Sequence, residues 1–340
     1  MTRLVYSEEE LLRSHDYARE HVVSGHELHG GFDARGTYLP PRALVRAPAI
    51  DAWTRALRAR GGELLDANSS MLAGVRYPSD AQQKLLLQEG LGQTFWNNLT
   101  ITGMIEGRGR LLAEITFPNF QDVVEDDISE MGIGHLNKGL LVAHGLDEGG
   151  EPAKGIGGHD VMWFALRDLA FGETDFPQLV VPERIGRPDA GKREVAEIPA
   201  AYEQTLMFLL NLLLIEFRAE IGFSFTERML RDPALFQDRR AEAEEAAEVV
   251  GRIRTDEEIH VKSLRLYLGE LRSCTFKTVS GGRVSGAALI DAAWARIVNW
   301  ATVEAPKLQA EESRKLLTER ILKHPDGDRI LEEFNALEDA

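Results

Sequence analysis

Residues 206–218, Leu-Met-Phe-Leu-Leu-Asn-Leu-Leu-Leu-Ile-Glu-Phe-Arg, constrain the fold more than any other stretch of this chain. Wound as a helix, the run is apolar on nearly every face, so other elements must surround it. A bilayer is not the expected surrounding. The run Leu206–Ile215 is interrupted by Asn211, is followed by Glu216 and Arg218, and has about half the length of a membrane span. Glu216 is therefore expected at the end of a buried segment. A carboxylate there has to be neutral, paired or bound to a metal. An ion pair with Arg218 or with a neighbouring helix is the plain account of it.

The rest of the pattern supplies the helices that would surround this run. Ser79-Asp80-Ala81-Gln82 opens a helical stretch to about Thr116, weakened by Gly90, Gly92, Gly103, Gly107 and Gly109. Phe117-Pro118-Asn119 breaks it, and a second helix is predicted over 120–143. A third starts at Pro199, where proline suits the first turn, and runs to about Leu230. Arg231-Asp232-Pro233 ends it, and a fourth, amphipathic helix covers 237–272. Helix, turn, helix, long crossover, helix, turn, helix is the connectivity of a four-helix bundle with one crossover. The crossover spans 147–198, with a short helix over Asp160–Ala170 and an irregular Pro-rich part over Phe176–Ala190. Residues 1–78 form an N-terminal extension. It has a helix over Ser7–Val23 (Ser7 as N-cap, Glu10 closing a capping box), loop from Ser24 to Ala49 and a short helix over Ile50–Gly61. Residues 273–340 form a C-terminal extension of two or three helices. The expected class is all-α.

Composition excludes several functions. Lys and Arg number 39 against 55 Asp and Glu, a net charge of −16, which disfavours nucleic acid and anionic membrane as partners. The single cysteine, Cys274, permits no internal disulfide and no Cys-rich zinc module, and it lacks the supporting pattern of a nucleophile. The start, MTRLVYSEEELLRSHDY, has no apolar core of a signal peptide. A cytoplasmic location is expected.

The chemistry-bearing residues fall on the four predicted helices. In Thr255-Asp256-Glu257-Glu258-Ile259-His260, Glu257 and His260 stand at i, i+3, so one helix can offer a carboxylate and an imidazole to one ion. The point midway between Glu216 and Glu257 falls inside the break at 231–239, which puts both at one height in an antiparallel hairpin. Ile105-Glu106-Gly107-Arg108 repeats Ile215-Glu216-Phe217-Arg218 as I-E-x-R. The point midway between Glu106 and Glu130 is Pro118, the other break.

Two helix hairpins joined by a crossover, each with Glu on one helix and a further Glu, with His, on the other, resemble the ferritin-like di-iron carboxylate superfamily over about residues 79–272. Glu106 and Glu216 match the lone carboxylates, Glu257 and His260 one carboxylate–histidine pair, and Glu130 the other carboxylate. The family pattern places His three residues after that carboxylate, and Ile133 stands there. His135 would serve if a π-bulge between Ser129 and His135 swings it inward. The resemblance implies a centre of two iron ions, with manganese as the alternative, held by Glu106, Glu130, His135, Glu216, Glu257 and His260. It implies an oxidoreductase or oxygenase acting with dioxygen on a small organic substrate; the extensions outside the bundle are expected to shape a substrate pocket or the interface of a homo-oligomer, a dimer. Asp126, Asp127 and Asp256 are candidates to hold the second nitrogen of each His. The alternative is a ferritin-like helical protein without a catalytic metal, acting as a binding or structural module. Iron storage is disfavoured, because a storage subunit lacks extensions of this size.

Other features are read blandly. His26-Glu27-Leu28-His29 has donors for a metal, but with His15 and His21 it better suits a polar surface stretch; Gly155-Ile156-Gly157-Gly158-His159 suits a flexible loop, and Tyr267 the core.

Overall fold

The computed structural model describes residues 3–67, 69–72, 77–177, 179 and 192–337, and the account below concerns these. The chain is mostly helical. In order it forms α1 (Glu8–Leu11), β1 (Arg19–Val23), β2 (His26–Phe32), β3 (Tyr38–Leu39), α2 (Ala43–Ala59), α3 (Asp80–Gln88), α4 (Gln93–Gly109) and α5 (Leu141–Gly149). There follow α6 (His159–Phe171), α7 (Ala200–Arg231), α8 (Arg240–Ser273), β4 (Thr275–Lys277), β5 (Arg283–Ser285), α9 (Gly286–Asn299), α10 (Ala305–Ile321) and α11 (Gly327–Ala336). Among the described residues no helix is long and apolar enough to cross a membrane.

The centre is built on the α7–α8 hairpin, with α6 against α8 and α4 against α6. Leu206, Leu209, Leu210, Leu213 and Phe217 of α7 are all buried, as an all-round apolar helix requires. The expected limits 199–230 and 237–272 match α7 and α8 closely. The stretch predicted over 81–116 is two helices, because Gly90 takes φ +73° and breaks the run. Ser79 caps α3 through a capping box with Gln82.

The predicted helix over 120–143 does not form. Asn119 caps a single turn at Phe120–Asp122, and the Gln121 side chain bonds the carbonyl of Asp126 and the N–H of Ile128. Val124 pairs with Phe276 of β4, and Glu270 of α8 accepts the N–H groups of Gly132 and Ile133. These tertiary partners satisfy the backbone in place of helical bonds. A 3₁₀ turn at Gly132–His135 and a π turn at Leu136–Leu140 follow, so the distortion expected between Ser129 and His135 lies beyond it. The regular helix is α5, and α6 occupies His159–Phe171 as expected for 160–170. The connection between α6 and α7 is thus 172–199 rather than 147–198. Most of the Pro-rich part at Phe176–Ala190 lies outside the described residues.

The N-terminal extension is mixed. The Ser7–Glu10 capping box is present, but α1 stops at Leu11. Arg19–Val23 is a strand, paired antiparallel with β2 through the two-residue turn Ser24-Gly25, both at positive φ. β3 pairs with β2, and Leu28 of β2 bridges to Gly157 just before α6. This small sheet closes one end of the α6–α8 seam. α2 is longer than the short helix expected, starting at Ala43. The C-terminal extension holds α9, α10 and α11, within the two or three helices expected, but opens with the antiparallel hairpin β4–β5, which was not expected.

Two glycines of α8 test the packing. A Cβ on Gly251 meets nothing within 4 Å, whereas one on Gly269 falls 2.4 Å from the carbonyl oxygen of Glu63. Gly251→Ala should therefore stabilise the fold by about 0.5–1 kcal/mol in denaturant titration, and Gly269→Ala should destabilise it by more than that.

Candidate metal centre

Two apolar clusters share α7 and α8, and the polar site lies where one gives way to the other. One cluster takes Leu206–Phe217 of α7 and Leu264–Leu271 of α8; the second takes Phe223–Leu230 and Ala246–Ile253. Between them sit Glu216, Asp256, Glu257 and His260, all buried. Glu106 arrives from α4, His144, Asp147 and Glu148 from α5, and His159 from the first turn of α6. Close approach of α5 to the end of α4 needs glycine. A Cβ on Gly109 would lie 2.6 Å from Cγ of Glu148, and one on Gly145 would lie 2.5 Å from the Ala113 nitrogen.

The ligand-type atoms gather in two sets. In the first, His144 Nε2 stands 2.9 Å from Glu216 Oε1 and 3.3 Å from Glu148 Oε1. His260 Nδ1 stands 3.2 Å from the same Glu148 oxygen, with its ring stacked on His144 at 3.8 Å. In the second, His159 Nδ1 lies 3.0 Å from Glu257 Oε1, 3.6 Å from Glu148 Oε2 and 3.7 Å from Glu106 Oε2. Glu257 Oε2 lies 2.8 Å from His260 Nδ1. Glu148 and Glu257 thus offer one oxygen to each set, while Glu106 and Glu216 each serve one. The two I-E-x-R segments supply the equivalent, unshared carboxylates.

These separations suit metal ligands. Donors about 2.0–2.2 Å from one ion stand about 3.0–3.6 Å apart at octahedral to tetrahedral angles. His144 Nε2, Glu148 Oε1, His159 Nδ1 and Glu257 Oε1 are buried and, despite these approaches, lack hydrogen-bond geometry. Carboxylate oxygens and imidazoles suit iron, manganese or zinc.

An outer layer fixes the imidazoles. Asp147 accepts from Arg42 Nε at 2.8 Å and Arg46 Nη2 at 2.5 Å, and its Oδ2 lies 3.0 Å from His260 Nε2. Asp256 accepts from the Tyr38 hydroxyl at 2.9 Å and lies 3.3 Å from His159 Nε2. His159 and His260 therefore donate outward from Nε2 and turn Nδ1 inward, whereas His144 faces Glu148 and Glu216 through Nε2.

The charges sort accordingly. Burial and the neighbouring Glu148 push the Glu106 carboxyl well above the usual range; burial and Glu257 do the same to Glu216. Burial opposes ionisation of Glu148, but Glu106 and the three imidazoles outweigh it and hold Glu148 well below the usual range. Glu257 is likewise drawn down to about 2, burial and Glu148 being outweighed by His260 and His159. His159 and His260 are raised well above the ordinary imidazole value, burial being overcome by the facing carboxylates. Burial works against Asp147 too, and Arg46 and Arg42 more than offset it. A metal ion bound here would compete with protons for the same lone pairs.

Of the six residues expected as ligands, Glu106, Glu216, Glu257 and His260 come together. Glu130 and His135 do not join them. Glu130 is exposed, in the irregular stretch before Met131. His135 is buried against Trp53, ring centroids 4.8 Å apart; its Nδ1 bonds the Met131 carbonyl and its Nε2 accepts from the Tyr6 N–H. With both nitrogens engaged in backbone bonds it has no lone pair to offer. His144, Glu148 and His159 stand where those two were expected. The signal for the first two was His144-Gly-Leu-Asp147-Glu148, an i, i+4 pair on one helix face. Asp256 does hold a histidine, though His159 rather than His260, while Asp126 bonds the Thr275 N–H and Asp127 that of Ser129. His21 and His29 are buried, not a polar surface, and His159 opens a helix rather than ending a flexible loop. Tyr267 is in the core, as expected.

Comparison with protein-family models, curated proteins and solved structures finds no match to this chain.

Arg46 is 2 % exposed and Asp147 fully buried, so their pair cannot be replaced by water. Arg46→Ala should cost about 3 kcal/mol of unfolding free energy at neutral pH, read by chemical denaturation. A loss below about 1 kcal/mol would mean that Arg42 alone suffices.

Proposed function

We propose that the chain is a di-metal oxidoreductase, with two ions held by Glu106, His144, Glu148, His159, Glu216, Glu257 and His260. The observation that carries this reading is the sharing of Glu148: one oxygen faces His144 and His260, the other His159. A carboxylate divided in this way has the placement of a bridge between two neighbouring ions. Charge agrees. Four glutamates match two divalent cations, and Asp147 with Glu151 match Arg42 and Arg46.

In this reading α4, α6, α7 and α8 are the helices of a ferritin-like bundle, and α5 is a short helix that brings His144 and Glu148 to it. Iron is the proposed metal, with manganese as the alternative. Bound iron would supply the electrons for dioxygen activation, and oxidation or hydroxylation of a small organic substrate is the reaction class. The chain's own residues orient and exclude. Asp147 and Asp256 hold the imidazoles, and the two apolar clusters keep water from the far side. Glu106 is the most open ligand at 10 % side-chain exposure, while His159 and Asp256 are at 0 %. Substrate and dioxygen therefore approach from the side of α4, α5 and α7. The metal-free alternative rests on the displacement of His135 and on the five glycines of the first predicted helix; His144 and His159, which offer imidazoles that His135 does not, favour the metal reading over it.

Glu148→Gln should lower iron affinity by more than about 100-fold and abolish iron-dependent dioxygen consumption, with Glu130→Gln loading like the parent. Elemental analysis after iron loading decides it. A parent chain that takes up no iron, or a Glu148→Gln chain that loads normally, overturns the reading.

A further inference from the structure

Behind the paired site, a second group holds buried polar atoms without hydrogen-bond partners. His29 on β2 is buried, and neither ring nitrogen has a hydrogen-bond partner. Its Nε2 lies 3.3 Å from Asp256 Oδ2, and His159 Nε2 lies 3.3 Å from that same oxygen. The two rings meet edge to face, centroids 5.1 Å apart. Asp256 Oδ1 is buried and also without a partner. The Tyr38 hydroxyl, on β3, completes the cluster at 2.9 Å.

The charge count isolates this group. The four glutamates, Asp147 and Glu151 each have a counter-charge in the account above. Asp256 has no guanidinium or ammonium partner: among the described residues it faces two imidazoles and a phenol, and His159, its one cationic neighbour, is shared with Glu257. A carboxylate so placed in a dry interior gains from a further cation. Two imidazole nitrogens each 3.3 Å from one carboxylate oxygen have the spacing of neighbouring ligands around one tetrahedral ion, about 3.3–3.6 Å at the bond lengths of zinc. Phenol, imidazole and carboxylate donors suit that ion.

We propose that His29, Asp256 and His159 Nε2 bind a third divalent cation of the zinc type, which displaces to solvent the Nε2 proton that His159 otherwise directs at Asp256, with Tyr38 beside it, and that His159 bridges this ion to the paired centre. The sheet β1–β2–β3, whose strands bring His29 and Tyr38, would thereby be clamped onto α6 and α8 by the metal. The site goes beyond the di-metal reading and rests on it for the charge count and for the bridging role of His159.

The test is zinc counting on the full chain. The metal-free protein is saturated with zinc chloride, desalted and analysed for zinc per chain, for the parent, His29→Gln and Glu148→Gln. The expected result is about three ions for the parent and about one fewer for His29→Gln, with Glu148→Gln keeping the ion that His29→Gln loses. A parent that saturates at two ions overturns the third site and leaves the paired centre standing. A parent that binds a single ion, lost in His29→Gln, supports this site and sinks the paired centre. Equal zinc in parent and His29→Gln overturns the proposal. If His29→Gln does not fold, the parent count alone decides.

Discussion

Four buried glutamates set against one another are the constraint on which the rest of the structure depends. Like charges at this distance in a low-dielectric interior repel strongly, so the fold must supply cations, protons or donors at each oxygen. Every element around the seam answers this need. α5 is drawn onto α4 through glycine contacts so that Glu148 can sit between three imidazoles. α2 and the turn before it contribute Arg46 and Arg42 to Asp147. The small N-terminal sheet contributes Tyr38 and His29 to Asp256. A bundle needing only apolar burial would require none of these.

The two apolar clusters explain how such a site is tolerated. Each fills one end of the α7–α8 hairpin, and together they provide the burial that offsets the desolvation of the centre. The polar residues are confined to a single level, where the side chains of five helices reach one another. The same arrangement fixes ring orientation. The outward nitrogens of His159 and His260 are tied to different aspartates, so the two inward nitrogens stay on their own sides of Glu148 and Glu257.

Much of this was legible in the sequence, and the failures have physical causes. Glu216, Glu257 and His260 were within reach because α7 and α8 are long, periodic and joined by a short break, so equidistance from the turn fixes relative height. The same logic applied to Glu106 chose the wrong partner. The point midway between Glu106 and Glu148 is Asp127, inside an irregular connection running from Glu114 to the π turn. Pro118 offered a tight turn that the chain does not use. Helical periodicity over 120–143 was overridden by long-range bonds from Glu270 and β4, which no local pattern reveals. His144 and Glu148 were hidden because the Gly- and acid-rich composition after Ala143 reads as loop. His29 was hidden because His26-Glu27-Leu28-His29, flanked by Gly25 and Gly30-Gly31, reads as a polar surface loop, and its burial comes from a long-range approach to α6 and α8.

The central claim is that Glu148 lies between two metal ions. Anomalous diffraction from crystals of the iron-loaded protein, measured on both sides of the iron absorption edge, tests it most directly. The account predicts two iron peaks about 3.5–4 Å apart, one beside His144, Glu216 and His260 and one beside Glu106 and His159, with the Glu148 carboxylate between them. A single peak on one side of Glu148, or no iron among these residues, would contradict it.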